Sequence, residues 1–191
     1  MVRARLKEIN TWIKQNKEFV YRLLSWSFGI LSLSLLGVYG LKTLFGDINV
    51  VGESFVKEEL PIPFFPWFYA KPITWFSFFT FCWWAFGLES HRKWLIKLNP
   101  PYPKVLIVMM ALFAFGSLYE ILWNFAIWTA LMSIAGPLLH PDLLANVFNV
   151  PRAVNLVFAT KIVTLVFGMS VYFLYFIHRV TNSFKEEDSE K

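Results

Sequence analysis

The sequence is short of cysteine, short of charge, and lacks the motifs that mark a soluble enzyme. Its one cysteine, Cys82, lies in an apolar run, which excludes an intrachain disulfide and a Cys-rich metal framework. Charged residues are 16% of the chain and hydrophobic residues 57%. A soluble domain carries roughly 25% charged residues, so water is not the main solvent here. HExxH, GxSxG, P-loop and CxxC patterns are absent, leaving hydrolytic, nucleotide-driven and thiol chemistry without residue-level support. A chain of 191 residues leaves no room for a soluble catalytic domain beside its apolar segments. Enzymatic activity of the chain by itself is therefore not expected, and the sequence names no cofactor.

What is present is a set of long apolar runs. These predict an all-α integral membrane protein, a bundle of about four transmembrane helices preceded by an N-terminal amphipathic interfacial helix. The spans are expected at about 23–45, 72–88, 105–134 and 154–178, within a transmembrane domain covering 23–180. The second is the shortest and the most aromatic, with Pro72 suited to its first turn. Residues 1–22 form the arm and 181–191 a charged tail expected to be disordered.

The net charge of +5 follows topology and is not read as nucleic-acid binding. Basic residues gather in the arm (Arg3, Arg5, Lys7, Lys14, Lys17, Arg22), in the second loop (Arg92, Lys93, Lys97, Lys104) and in the tail (Arg179, Lys185, Lys191). On the other side, Lys42, Lys57 and Lys71 are diluted by Asp47, Glu53, Glu58 and Glu59, and Arg152 stands alone in the third loop. Basic segments resist translocation, so a multi-pass chain with both termini in the cytoplasm is expected. No cleaved signal peptide is expected, because the first apolar run starts late and is too long for an h-region.

In the arm, Val2, Leu6, Ile9, Ile13 and Val20 recur at helical spacing with Trp12 available to the headgroups, a pattern that predicts a helix lying on the cytoplasmic leaflet. The prolines of LPIPFFPWFYAKP, from Leu60, forbid a regular helix, and its aromatics place this loop at the membrane interface or against a partner. The third loop, with His140, is expected to hold a short interfacial helix capped near Asp142.

Three polar residues fall at membrane depth: Glu120 and Asn124, one turn apart in span three, and Lys161 in span four. Ionisable groups in hydrocarbon cost several kcal/mol unless paired, hydrated or neutralised. On span four, Lys161, Thr164, Gly168, Tyr172 and Tyr175 also recur at helical spacing, so the two polar stripes are expected to face each other or a partner. Such groups serve either as glue that fixes helix register or as a path for an ion, a proton or a polar ligand. His91 and His178, at the ends of spans two and four on the basic side, are candidate axial ligands for a haem, or ligands for a quinone or metal.

Trp75, Trp83, Trp84, Trp123 and Trp128 lie along the spans, where lipid-facing helices keep few tryptophans. Together these features favour an accessory or structural subunit of a larger membrane complex, respiratory or otherwise oxidoreductive, whose partners are the bilayer and other membrane subunits or further copies of the chain. A small ion or solute transporter using Glu120 and Lys161, and a haem- or quinone-binding protein, are the alternatives.

Overall fold

The computed structural model describes residues 15–45, 52–62, 65–96, 101–135 and 153–189. The described residues are nearly all helical. Helix α1 covers Lys17–Phe45 and the short α2 covers Glu53–Lys57. A two-stranded antiparallel hairpin follows, β1 (Leu60–Ile62) with β2 (Phe65–Ala70), pairing Leu60 with Ala70 and Pro61 with Tyr69. Helix α3 is Pro72–Ser90, α4 is Arg92–Ile96, α5 is Pro101–Ala135 and α6 is Ala153–Ser189.

Helices α1, α5 and α6 are long and apolar enough to cross a bilayer, as a multi-pass membrane protein requires. Helix α3, with 19 residues, spans about 28 Å at 1.5 Å per residue. Its tryptophans, serines and threonines dilute its aliphatic content. Pro72 occupies its first turn as the sequence predicts, where the missing N–H leaves no helical bond unmade. At its far end the His91 amide donates to the carbonyls of Gly87 and Leu88, and α4 turns away from that point.

The order across the bundle is α1, α3, α6, α5. Helices α1 and α3 run antiparallel, and their contact is built from small residues. The Ser25 hydroxyl donates to the Trp83 carbonyl at 3.2 Å, and the Ser32 and Thr80 hydroxyls share a 2.6 Å bond. Between them Gly29 lets the Trp83 indole approach to where a Cβ would lie only 3.0 Å away. Ser25, Gly29 and Ser32 repeat at four and three residues, one face of a helix, which is the small-residue packing that brings membrane helices close.

Two apolar clusters close the bundle at its ends. At one, Leu88 and Leu95 pack with Phe173, Phe176, Ile177 and Val180. At the other, α2 inserts Phe55 and Val56 against Tyr39 of α1 and Ile73 of α3, with Phe158 and Ile162 of α6 alongside. The turn into α2 depends on Gly52, whose φ of 81° is left-handed and whose α-carbon faces the Phe158 ring so closely that a Cβ would sit 2.6 Å from it. Ser54 fixes the same turn by donating to the Tyr39 carbonyl at 2.8 Å.

Helix α5 differs from the rest. It packs mainly against α6, antiparallel, and only 6% of its spanning stretch is buried, against 22% in α1 and 17% in α6.

Several boundaries move from their expected places. Lys17–Arg22 belong to the same uninterrupted helix as the first span rather than to a separate arm. Helix α6 continues to Ser189, so the charged tail is helical over most of its length, because Lys and Glu are good helix formers and no Pro or Gly stops them. The prolines after Leu60 do exclude a helix there, and the chain pairs into a hairpin instead. Residues 1–14 of the amphipathic arm, and the third loop with His140 and Asp142, lie outside the described residues.

Candidate functional site

The best-connected polar cluster joins α3 to α6 at the basic end of the bundle. Glu89, in the last turn of α3, has a side chain only 10% exposed. Its Oε1 accepts from the Arg179 guanidinium and, at 3.1 Å, from the Tyr172 hydroxyl. Both donors stand on α6, seven residues and so two turns apart, which puts them on one face of the helix. The guanidinium lies 5.7 Å from the Tyr175 ring centroid and 5.9 Å from that of Phe176, a cation–π setting. The cluster satisfies a nearly buried carboxylate and fixes the register of α3 against α6.

The polar residues expected at membrane depth occupy different surfaces. Asn124 and Lys161 line one cavity of about 270 Å³ between α5 and α6, together with Thr160 and the apolar side chains of Ile121, Trp128 and Leu156. Both side chains are half-buried. Glu120 lines a separate, smaller groove with Gly116, Ser117 and Val163. It is exposed, and among the described residues it has no hydrogen-bond or ion-pair partner; Lys161 lies beyond salt-bridge distance. The rest of the α6 stripe turns mainly towards α3: Gly168 faces Phe81, and Tyr172 reaches Glu89. Thr164 is exposed and returns its hydroxyl to the Thr160 carbonyl.

A third feature is a groove of about 670 Å³ on the side where α5 stands away from α3. Trp83, Trp84, Trp94, Leu106, Met110 and Phe173 form its apolar wall, and His91 stands on its rim. The His91 Nδ1 lies 2.9 Å from both the Gly87 carbonyl and the Ser90 hydroxyl. His178 is exposed on α6 and does not line this groove, so the two histidines named as ligand candidates do not share a cavity. Among the described residues no three of His, Cys, Asp and Glu gather as a metal ion would require, and Cys82 is a free thiol.

No protein-family model, curated protein or solved structure matches the chain. What it does must be read from its own surfaces.

The Glu89–Arg179–Tyr172 cluster was not singled out from the sequence. Glu89 falls one residue past the expected end of span two and reads as part of a loop. The available signal was an acid ending one span and a base ending another on the same side of the membrane. The groove had no sequence signal beyond the excess of tryptophan, because it arises from α5 lying apart from α3.

Proposed function

We propose that the chain is a non-catalytic subunit of a larger membrane assembly, crossing the bilayer four times with both termini in the cytoplasm and joining its partners through α5. The observation that carries this reading is Glu120. It stands two residues from the middle of a 35-residue apolar helix, on an exposed face and with no partner among the described residues. A lone carboxylate facing hydrocarbon costs several kcal/mol, and a protonated one still brings hydrogen-bonding groups that lipid tails cannot meet. Contact with another membrane helix removes that cost. Gly116, one turn away, has open space around its α-carbon, which suits close approach by a neighbouring helix.

Transport by Glu120 and Lys161 as one site finds less support, since they line different cavities. The fourth crossing rests on α3. Its length suits a thin hydrocarbon layer, and it packs antiparallel along α1.

The test is extraction from native membranes in a mild detergent, followed by measurement of mass. The chain should be recovered in an assembly larger than its own 22.4 kDa, and Glu120→Leu should release it as a folded single chain. Recovery of the unaltered protein as a 22.4 kDa monomer would sink the reading.

A further inference from the structure

Where α5 and α6 pack, two opposite charges are left unpaired at membrane depth. Lys161 and Asn124 line the same cavity of about 270 Å³ from the two helices, with Thr160 beside them and Trp128 and Leu156 among its apolar walls. Neither Lys161 nor Asn124 has a hydrogen-bond or ion-pair partner among the described residues. An ammonium brings three donors and an amide two more, so the group this cavity lacks is an acceptor, and the positive charge calls for an anion. Glu120 is the converse, an exposed carboxylate without a donor among the described residues. The two charges stand at nearly one depth. Glu120 shares its groove with Val163 and Val166, two and five residues along α6 from Lys161, an axial offset of about 3–8 Å at 1.5 Å per residue. The flexible four-carbon stem of lysine covers much of that offset. Within one chain the two line separate cavities and lie beyond salt-bridge distance. Two copies inserted with the same topology bring Glu120 of one to the depth of Lys161 of the other.

From this complementarity we infer that the cavity beside Lys161 receives Glu120 of a second copy of the chain, whose carboxylate accepts from the ammonium and from the Asn124 amide. The neighbouring copy completes a site that one chain leaves open. A carboxylate has lone pairs for both donors, and hydrocarbon around the pair leaves it no competing water. The open space over Gly116, one turn from Glu120, lets the second copy come close. A partner of different sequence would have to supply a base for Glu120 and an acid for Lys161 at these depths, whereas a second copy brings both. The contact between positions 120 and 161 is reciprocal in a dimer and repeats around any larger ring. This inference rests on α5 as the contact helix and adds which chain it meets.

The experiment uses the full-length chain purified alone in mild detergent and weighed intact by native mass spectrometry. The expected mass is a whole multiple of 22.4 kDa. Glu120→Lys and Lys161→Glu, each by itself, bring like charges together and should give single chains. Mixing these two proteins should restore the multimer with both in equal amounts, because every contact then joins opposite charges. Lys161→Met, a milder change, should weaken self-association by about tenfold on dilution. A purified chain that weighs 22.4 kDa would overturn the inference, whether its cavity is empty or holds a fatty acid that supplies the carboxylate instead. So would single variants that stay multimeric, or a mixture that stays monomeric although both proteins unfold at the unaltered temperature. A native assembly holding one copy among other chains would also overturn it while leaving the subunit reading in place, and a lone chain in native membranes would remove both.

Discussion

Glu89 is a carboxylate taken almost out of solvent and given two donors, and the balance of those terms decides what its loss would do. Removing one partner of a fully buried ion pair costs about 3–5 kcal/mol, because the other charge is left uncompensated. Arg179 keeps 39% of its side chain exposed, which lowers that figure. Arg179→Leu should therefore destabilise the protein by about 1–3 kcal/mol in thermal unfolding in detergent. Tyr172→Phe should cost less, about 1 kcal/mol, since it removes one neutral donor. An Arg179→Leu protein as stable as the unaltered one would show that the pair does not hold α3 to α6. Gly52 is a second residue whose identity is fixed by geometry. Gly52→Ala meets both a left-handed backbone and the Phe158 ring, so it should lower stability by more than 1 kcal/mol or so. Adding Phe158→Ala removes the clash and leaves the backbone cost, so the double substitution should not return the protein to full stability.

At the scale of elements, α1 and α3 approach through Ser25, Gly29 and Ser32, and the tightest point is Gly29 under Trp83. Gly29→Val should force this pair apart at a cost of about 1–3 kcal/mol, the usual range for overpacking. Gly37, on the same helix but with nothing within 4 Å of a built Cβ, should accept the same change with little effect. Equal unfolding temperatures for the two variants would refute the close approach. The three longest spans were legible because an unbroken apolar run near bilayer length has few other uses. The start of α3 was legible because Pro72 fits only a first helical turn. The face of α1 that meets α3 was written in the four-and-three spacing of its small residues, a weaker signal than charge and easily lost among leucines. The hairpin was not legible, because Pro61 and Pro66 argue against a strand and only the pairing of Leu60 with Ala70 and Pro61 with Tyr69 shows that the segment takes this form. Of the site, Glu120, Asn124 and Lys161 could be named from sequence. Their separation into two cavities could not, since it depends on the rotation of α5 about its own axis.

For the molecule as a whole, the four long helices form a row rather than a closed ring, with α1 and α5 at its two edges. The α1 edge exposes Leu23, Trp26, Ile30 and Leu33, side chains at home in acyl chains. The α5 edge exposes equally apolar residues, Leu112, Phe115, Leu122 and Phe125, but interrupts them with Glu120. The two edges should therefore behave differently when each is tagged for crosslinking. A photoreactive side chain in place of Phe115 should capture a protein neighbour in native membranes, and one in place of Ile30 should capture lipid. Protein adducts from both positions alike would remove the distinction between the edges.

The row also has a consequence for how the chain is made. Helix α5 rests almost wholly on α6, and α6 is the last of the four to be synthesised. Until it emerges, the α1–α3 hairpin lacks the α6 side chains that complete its two apolar clusters, and α5 waits with a carboxylate in its middle and no seat. A chain stopped before Ala153 should insert its first helices normally and lose α5 to quality control. Helix α6 is thus a fastener, and α5 is seated only when it is driven home.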